Sequence, residues 1–381
     1  MTSAPHVIKN ATIVLPDRVT EGWAALADGQ IAEVGDGQPP RDAEDWYGDY
    51  LLPGLVELHT DHLETHLRPR PRVKWPVQSA LLAFDAQVAA SGITTVFDCV
   101  RVGNDEDYDA EGSDAATVAR TILDAQDEGH LRADHHIHLR CEVCADDVLD
   151  DLERVLATAR ADLISLMDHT PGARQFVNLD SWRVYYGGKA GLTDAQMDAL
   201  ILTKKAQFDR NYDRHRGALV TEAKRHGIVL ASHDDATAAH VDEAIKDGVG
   251  LAEFPTTVEA ARASHDAGIH VMMGAPNVVR GGSHSGNIAA ETLARAKTLD
   301  VLSSDYVPAS LMLGAFDLVR RIEGYPLADA IALVTRNPAQ AAGLGDRGEI
   351  SAGKRADVVR VQLSDGHPIV REVYREGRRV V

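Results

Sequence analysis

The chain has 381 residues and a mass of 41.1 kDa, more than a single sandwich or bundle needs and enough for one large barrel with an appended module. Its formal charge of −19 repels extended polyanions, so nucleic acid is not an expected partner. With 44% hydrophobic and 25% charged residues it can bury a sizeable core, which excludes a disordered polyelectrolyte.

The opening stretch MTSAPHVIKN carries neither a basic segment followed by an apolar one nor a cleavage pattern. No run of eighteen apolar residues occurs anywhere, so a cytoplasmic protein that engages no membrane is expected. Cys99, Cys141 and Cys144 are an odd number, unsuited to a disulfide framework and suited to a reducing compartment. The CxxC formed by the last two has no second pair, and we read it as strand and loop filler.

Residues 6–50 read as short strands and turns, ending in the acidic linker RDAEDWYGDY. The segments GDRGEISAGKRADVVRVQL and IVREVYREGRRVV at the other end share that texture, so residues 1–52 and 345–381 are expected to form one small composite β-sandwich domain. Between them, residues 53–344 carry eight apolar runs: LPGLVELHT, GITTVFDCV, HHIHLRCEV, DLISLMDH, GIVLASHD, GVGLAEF, IHVMMGAP and VLSSDY. They are separated mostly by helical patterns, which predicts an α/β chain with a (β/α)8 TIM barrel; a doubly wound sheet is the alternative. The longest interruption, GGKAGLTDAQMDALILTKKAQFDRNYDRHRG, has helical periodicity and reads as an insertion before the fifth strand.

Barrel enzymes build their sites at the carboxyl ends of the strands, and here those ends carry His59 and Asp61, Glu142, Asp168 and His169, His233 and Asp234, Glu253, and Asp305. Alternation along LVELHTD puts Val56 and Leu58 on one face, expected to meet the helices, and Glu57, His59 and Asp61 on the inward one. The same parity turns His136, His138, Arg140 and Glu142 inward, whereas Asp168 and His169 cannot both face in, and His169 is favoured. A lone strand-end histidine is ordinarily a polar cap, but five strand ends bearing imidazole or carboxylate together suit Zn²⁺, Mn²⁺ or Fe²⁺ with a position open to water. Metal-assisted hydrolysis follows from that donor set.

These motifs resemble the amidohydrolase superfamily: LLPGLVELHTDH opening the barrel, SHD at the fifth strand, the aspartate of SSDY at the eighth, and GEISAGKRADVV near the end. The resemblance implies that His59, Asp61, Glu142 and His233 hold one or two divalent ions, Zn first among them, with His169 as a further candidate. It also implies that Asp305 both touches metal and serves as catalytic base. Two positions depart from the family pattern, since Asp61 and Glu253 stand where histidines are usual. ELHTDHLETHLRPRPRVKWP, DHTPGARQF, AEFPTT, MGAPNVVRGGSHSGN and SSDYVPASL resemble the branch of that superfamily that releases diphosphate from a sugar 5-triphosphate in phosphonate breakdown.

The residues support a phosphate substrate independently, which the resemblance makes a small phosphorylated sugar. Arg68, Arg70, Arg72 and Lys74 crowd a proline-stiffened loop after the first strand, and Arg174, Lys189 and Arg280 sit on other mouth loops. The Gly-rich VVRGGSHSGN, with His284, offers backbone N–H groups to phosphate oxygens. A solvated basic loop is the plainer reading of the same spacing. A C–N hydrolase of the superfamily or a noncatalytic barrel scaffold are the alternative functions, and the resemblance leaves a homo-oligomer open.

Overall fold

A computed structural model of the chain describes residues 5–39, 42–70, 73–103, 114–174, 179, 182–183, 193–283 and 286–381. Strands β1 (His6–Val14), β2 (Val19–Ala27), β3 (Gln30–Asp36), β4 (Glu44–Asp45) and β5 (Tyr50–Pro53) come first. The barrel follows with β6 (Leu55–Thr60), β7 (Ile93–Val102), β8 (Asp134–Glu142), β9 (Leu163–Met167), β10 (Val229–His233), β11 (Leu251–Glu253), β12 (His270–Gly274) and β13 (Val301–Ser303). β14 (Val358–Ser364), β15 (His367–Arg375) and β16 (Arg378–Arg379) end the chain.

The two ends meet in one sheet, ordered β16-β15-β14-β5-β1-β2-β3 with β4 beside β1. The seam is antiparallel, with Val358 opposite Pro53 and Val359 opposite Leu52. The sheet curls so that Gln30 at the start of β3 bridges Arg355 just before β14, and Ile8, Ile13, Leu26, Ile31, Trp46 and Val358 fill the fold between its arms. Gly54 carries the chain from this sheet into the barrel, where a Cβ would stand 2.1 Å from Thr94 Oγ1, so the close approach of β6 to β7 requires glycine.

β6 through β13 are parallel and neighbour one another in sequence order. The circle closes through a parallel bridge between Thr60 and Asp305, which makes the unit a (β/α)8 TIM barrel. Inside, Val56, Leu58, Phe97, Leu163, Ala231, Leu251, Met272 and Val301 form an apolar floor, and the outer strand faces pack on the helices. The expectation that Val56 and Leu58 face the helices is corrected here. The β6–β7 register shifts between Glu57 and Thr60, so strict alternation breaks and both residues join the floor while His59 still reaches the mouth.

The insertion before the fifth barrel strand is a 33-residue helix, Asp194–His226. A reciprocal capping box between Thr193 and Gln196 starts it, and Gly227, in the left-handed conformation at φ 67°, stops it. Among the described residues no helix is long and apolar enough to cross a membrane.

One buried charge cluster fastens a helix to the barrel wall. His135 on β8 lies 2.8 Å from Asp98 Oδ2 on β7 and 3.3 Å from Asp85 Oδ1 on the helix Val77–Ala90. Burial disfavours its imidazolium, but the two carboxylates outweigh that and lift its pKa to about 9. The raised value means that its stabilisation is complete below the ordinary histidine pKa of about 6.5 and is lost as pH rises through about 9. Urea unfolding should therefore show stability falling by on the order of 3 kcal/mol between pH 6 and pH 10, with a shallower decline in His135→Gln. Equal slopes in parent and variant would contradict this account.

Candidate functional site

Above the apolar floor lies a polar layer at the strand ends. His59 comes from β6, Cys99 from β7, His138 and Arg140 from β8, Ser165 from β9, His233 from β10 and Glu253 from β11, with Asp305 just beyond β13. Three of the strands leave this layer by one device. Asp234, Phe254 and Asp305 adopt positive φ (58°, 53° and 53°), and each N–H donates to a carbonyl of the next strand around the circle: Glu253 O at 2.9 Å, Met272 O at 2.9 Å and His59 O at 3.1 Å. Such conformations cost on the order of 1–3 kcal/mol for a non-glycine residue and persist where the surroundings fix them, commonly at functional sites.

His59 and His233 are held alike. His59 Nδ1 lies 3.0 Å from Glu253 Oε1, and His233 Nδ1 lies 2.7 Å from Asp234 Oδ2. A carboxylate that accepts the Nδ1–H hydrogen bond fixes that tautomer and leaves Nε2 as the lone-pair donor, as in metal-ligating histidines. His233 Nε2 is buried without a hydrogen-bond partner. The two ring centroids are 5.6 Å apart, and the edge of Phe254 packs on both at 4.9 Å and 5.2 Å.

Glu253 is itself deeply placed. Ser165 Oγ donates to its Oε2 while lying against His138 Nε2, and His138 Nδ1 is 2.9 Å from the Leu58 carbonyl. Burial alone would raise the Glu253 carboxyl, but the imidazoles of His59 and His138 hold it well below the usual range. At His59 burial opposes the cation, yet Cys99 and Glu253 prevail and raise its pKa well above the ordinary value. The surroundings of this ring therefore favour positive charge. Asp305 shows the opposite balance, with burial and then the neighbouring Asp61 pushing its carboxyl above the ordinary value.

Ligand atoms of His59, His233 and Glu253 lie within 4.8 Å of one another, as do those of His59, Asp61 and Asp305, and those of His59, Cys99 and His138. The donor set and the unpartnered His233 Nε2 fit a divalent ion. Asp61 is also ion-paired with Arg140, which, with His59 and Arg101, holds its carboxyl below the usual range against the effect of burial.

Other expected site residues are placed differently. Glu142 does not join His59: its Oε2 contacts His169 Nδ1 at 2.6 Å and its Oε1 accepts the His169 N–H at 3.2 Å, with the His169 ring 6.2 Å from that of His233. Asp168 turns to the Thr170 N–H at 3.0 Å and to Cys144. Arg174 corrects the expectation of a phosphate-gripping cation. It is 2% exposed, and its guanidinium is used by Asp235, by Tyr212 Oη at 2.7 Å and by Glu243 Oε2 at 2.7 Å. Arg68 is half-buried, Arg70 and Lys74 are exposed after the helix His62–Leu67, and Arg280 is exposed at the end of the helix Ala275–Arg280. Arg72, Lys189 and His284 lie outside the described residues. His62, which bonds the Tyr306 carbonyl at 2.9 Å and Gln87 at 3.0 Å, ties the first-strand loop to that after the eighth.

Sequence reasoning missed Arg140, Ser165 and Phe254 as site components and left Glu253 without a role. Glu57 was placed on an inward face only: it is buried beneath His59, accepts the His59 N–H at 2.7 Å and the Ser304 N–H at 2.5 Å, and burial lifts its pKa to about 7. Glu253 carried a signal, since it shares parity with Leu251 on the inward face of its strand.

The model of the Amidohydrolase family matches residues 77–381. The chain is 45% identical over 376 residues, 98% of its length and 100% of the relative's, to the alpha-D-ribose 1-methylphosphonate 5-triphosphate diphosphatase of Escherichia coli K12. It is 25% identical to an adenine deaminase of Ligilactobacillus salivarius, covering 93% of this chain and 54% of that protein. Among solved structures, N-isopropylammelide isopropylaminohydrolase from Burkholderia multivorans superposes with a TM-score of 0.68 at 19% identity, over 99% of this chain and 98% of the other. An N-acetyl-D-glucosamine-6-phosphate deacetylase mutant from Mycobacterium smegmatis gives 0.65 at 17% identity over the full length of both. These two likenesses bear on the fold.

Because Arg174 neutralises two carboxylates in a buried network, Arg174→Ala should cost about 3 kcal/mol of unfolding free energy, whereas exposed Arg280→Ala should change it by less than about 0.5 kcal/mol. Chemical denaturation at neutral pH reads both, and an Arg174→Ala protein as stable as its parent would contradict the buried clamp.

Proposed function

The chain belongs to the amidohydrolase family, and from that premise we propose that it is a metal-dependent diphosphatase of phosphonate catabolism. It hydrolyses alpha-D-ribose 1-methylphosphonate 5-triphosphate to alpha-D-ribose 1-methylphosphonate 5-phosphate and diphosphate. The full-length 45% identity to the Escherichia coli enzyme supports the substrate. The observation that carries the chemistry is the pair of imidazoles, each pinned by a carboxylate at Nδ1, with His233 Nε2 buried and unpartnered. The three cysteines are free and buried, in keeping with the cytoplasmic setting this reading implies.

His59 and His233 would hold the ion through Nε2, with Asp305 beside them and Asp61 at the rim. Glu253 orients His59, and the Glu142–His169 pair borders His233. A bound divalent ion, Zn with Mn or Fe as alternatives, polarises phosphoryl oxygen and lowers the pKa of water toward neutrality. Asp305 takes the proton of the attacking water at a carboxylate oxygen. Water oxygen bonds to the α-phosphorus as the bond to the α,β-bridging oxygen breaks, and diphosphate leaves with that oxygen. Arg68, Arg70, Lys74 and Arg280 on the mouth loops meet the charge of the triphosphate, with Arg72 and His284 in the same set.

Phosphorus NMR of the metal-loaded protein with the ribose 5-triphosphate should show diphosphate and a 5-phosphate; orthophosphate as the primary product, or inertness, would overturn the assignment. Asp305→Asn should lose about 10²–10⁴-fold in kcat with an unchanged circular dichroism spectrum, and near-normal turnover would remove Asp305 from this role. Prolonged chelation should abolish activity and Zn²⁺ or Mn²⁺ should restore it, an outcome a metal-independent enzyme would not give.

A further inference from the structure

We propose that Arg140 takes the place of a second metal ion, so that the centre binds one divalent cation per chain and Asp61 serves as the partner of Arg140. This inference rests on the metal-dependent reading above and concerns how the charge of that centre is divided.

Of the three clusters that share His59 among the described residues, two contain carboxylates. On one side stand His233 and Glu253, and on the other Asp61 and Asp305, each set with ligand atoms within 4.8 Å of one another. The first pocket lacks a permanent cation, since the buried His233 Nε2 has no partner and no Lys or Arg contacts Glu253 among the described residues. The second pocket already has one. Arg140 rises from β8 inside the barrel, 7% exposed, and pairs through Nη1 with Asp61 Oδ1 while its Nε packs on Met167 Sδ at 3.2 Å. A guanidinium is permanently charged and cannot yield its charge to an incoming ion by losing a proton.

Any divalent ion bonded to Asp61 would stand within a few ångströms of that fixed positive charge in a poorly screened site. It would also have to draw Asp61 away, leaving Arg140 buried without its counter-charge, which is strongly unfavourable. The chemistry of position 61 suits this role: an imidazole could not neutralise Arg140, and the Asp61 carboxylate does. Asp61 and Arg140 thus form one unit, and Arg140 acts on the reaction as a positioning residue through Asp61 and its neighbour Asp305.

The test is metal stoichiometry, read by native mass spectrometry and elemental analysis after reconstitution with excess Zn²⁺ or Mn²⁺ and removal of loosely held ions. The parent and Arg140→Lys are expected to hold one ion per chain. Arg140→Met frees Asp61 and should raise the count toward two, with an exchange-coupled signal in Mn²⁺ electron paramagnetic resonance. The double variant Arg140→Met/Asp61→Asn removes both buried charges, which guards against loss of folding, and should return the count to one. A parent that saturates at two ions, or a folded Arg140→Met protein that stays at one, overturns the inference while leaving the diphosphatase reading intact. A parent that binds no ion overturns both.

Discussion

The barrel is closed by reciprocal backbone hydrogen bonds between its first strand and the residue just past its last, and the site depends on that closure. Asp305 donates its N–H to the His59 carbonyl at 3.1 Å, while its own carbonyl accepts the Asp61 N–H at 3.0 Å and the Thr60 hydroxyl at 2.9 Å. These contacts span about 245 residues of sequence, yet they set His59, Asp61 and Asp305 side by side. The left-handed conformation of Asp305 is the local cost of meeting all of them at once. Functional side chains carried on closed strands are placed more tightly than loops alone would allow.

From this closure follows an arrangement of charge. The protein as a whole is acidic, at −19, but several of its buried carboxylates are answered one by one. Asp61 meets Arg140, Asp235 and Glu243 meet Arg174, and Asp85 and Asp98 meet His135. Glu253 is answered by imidazoles alone, and it is there that His233 Nε2 stands unpartnered. The local geometry there is independent of the global field: an unpartnered imidazole nitrogen stands beside a carboxylate, with exposed arginines on the segments above it.

Much of this was legible in the sequence where strands are regular. The eight apolar runs fall on the eight barrel strands, and parity along β8 correctly turned His138 and Arg140 inward, because a two-residue period needs only local geometry. The pairing of the chain ends was legible for the same reason, as matching strand texture. What failed was long-range or irregular. The register shift in β6 is invisible to alternation, so Val56 and Leu58 were assigned to the wrong face. Arg174 read as a substrate cation because a sequence does not display the partners of a guanidinium, and Asp235 and Glu243 lie more than 60 residues away. Glu142, expected among the ligands, lies against His169 beside His233, a grouping across three strands that strand-end parity does not display. The role of Glu253 emerges only across the barrel, 194 residues from His59.

The central claim is that His59 and His233, each fixed by its own carboxylate, hold a catalytic cation beside Asp305. Anomalous diffraction from crystals of the zinc-loaded protein, collected on both sides of the zinc absorption edge, tests it directly. The account predicts a strong peak within bonding distance of both Nε2 atoms and adjacent to Asp305. A peak seated instead on the Glu142–His169 pair, or none at the two imidazoles of zinc-replete active protein, would contradict it.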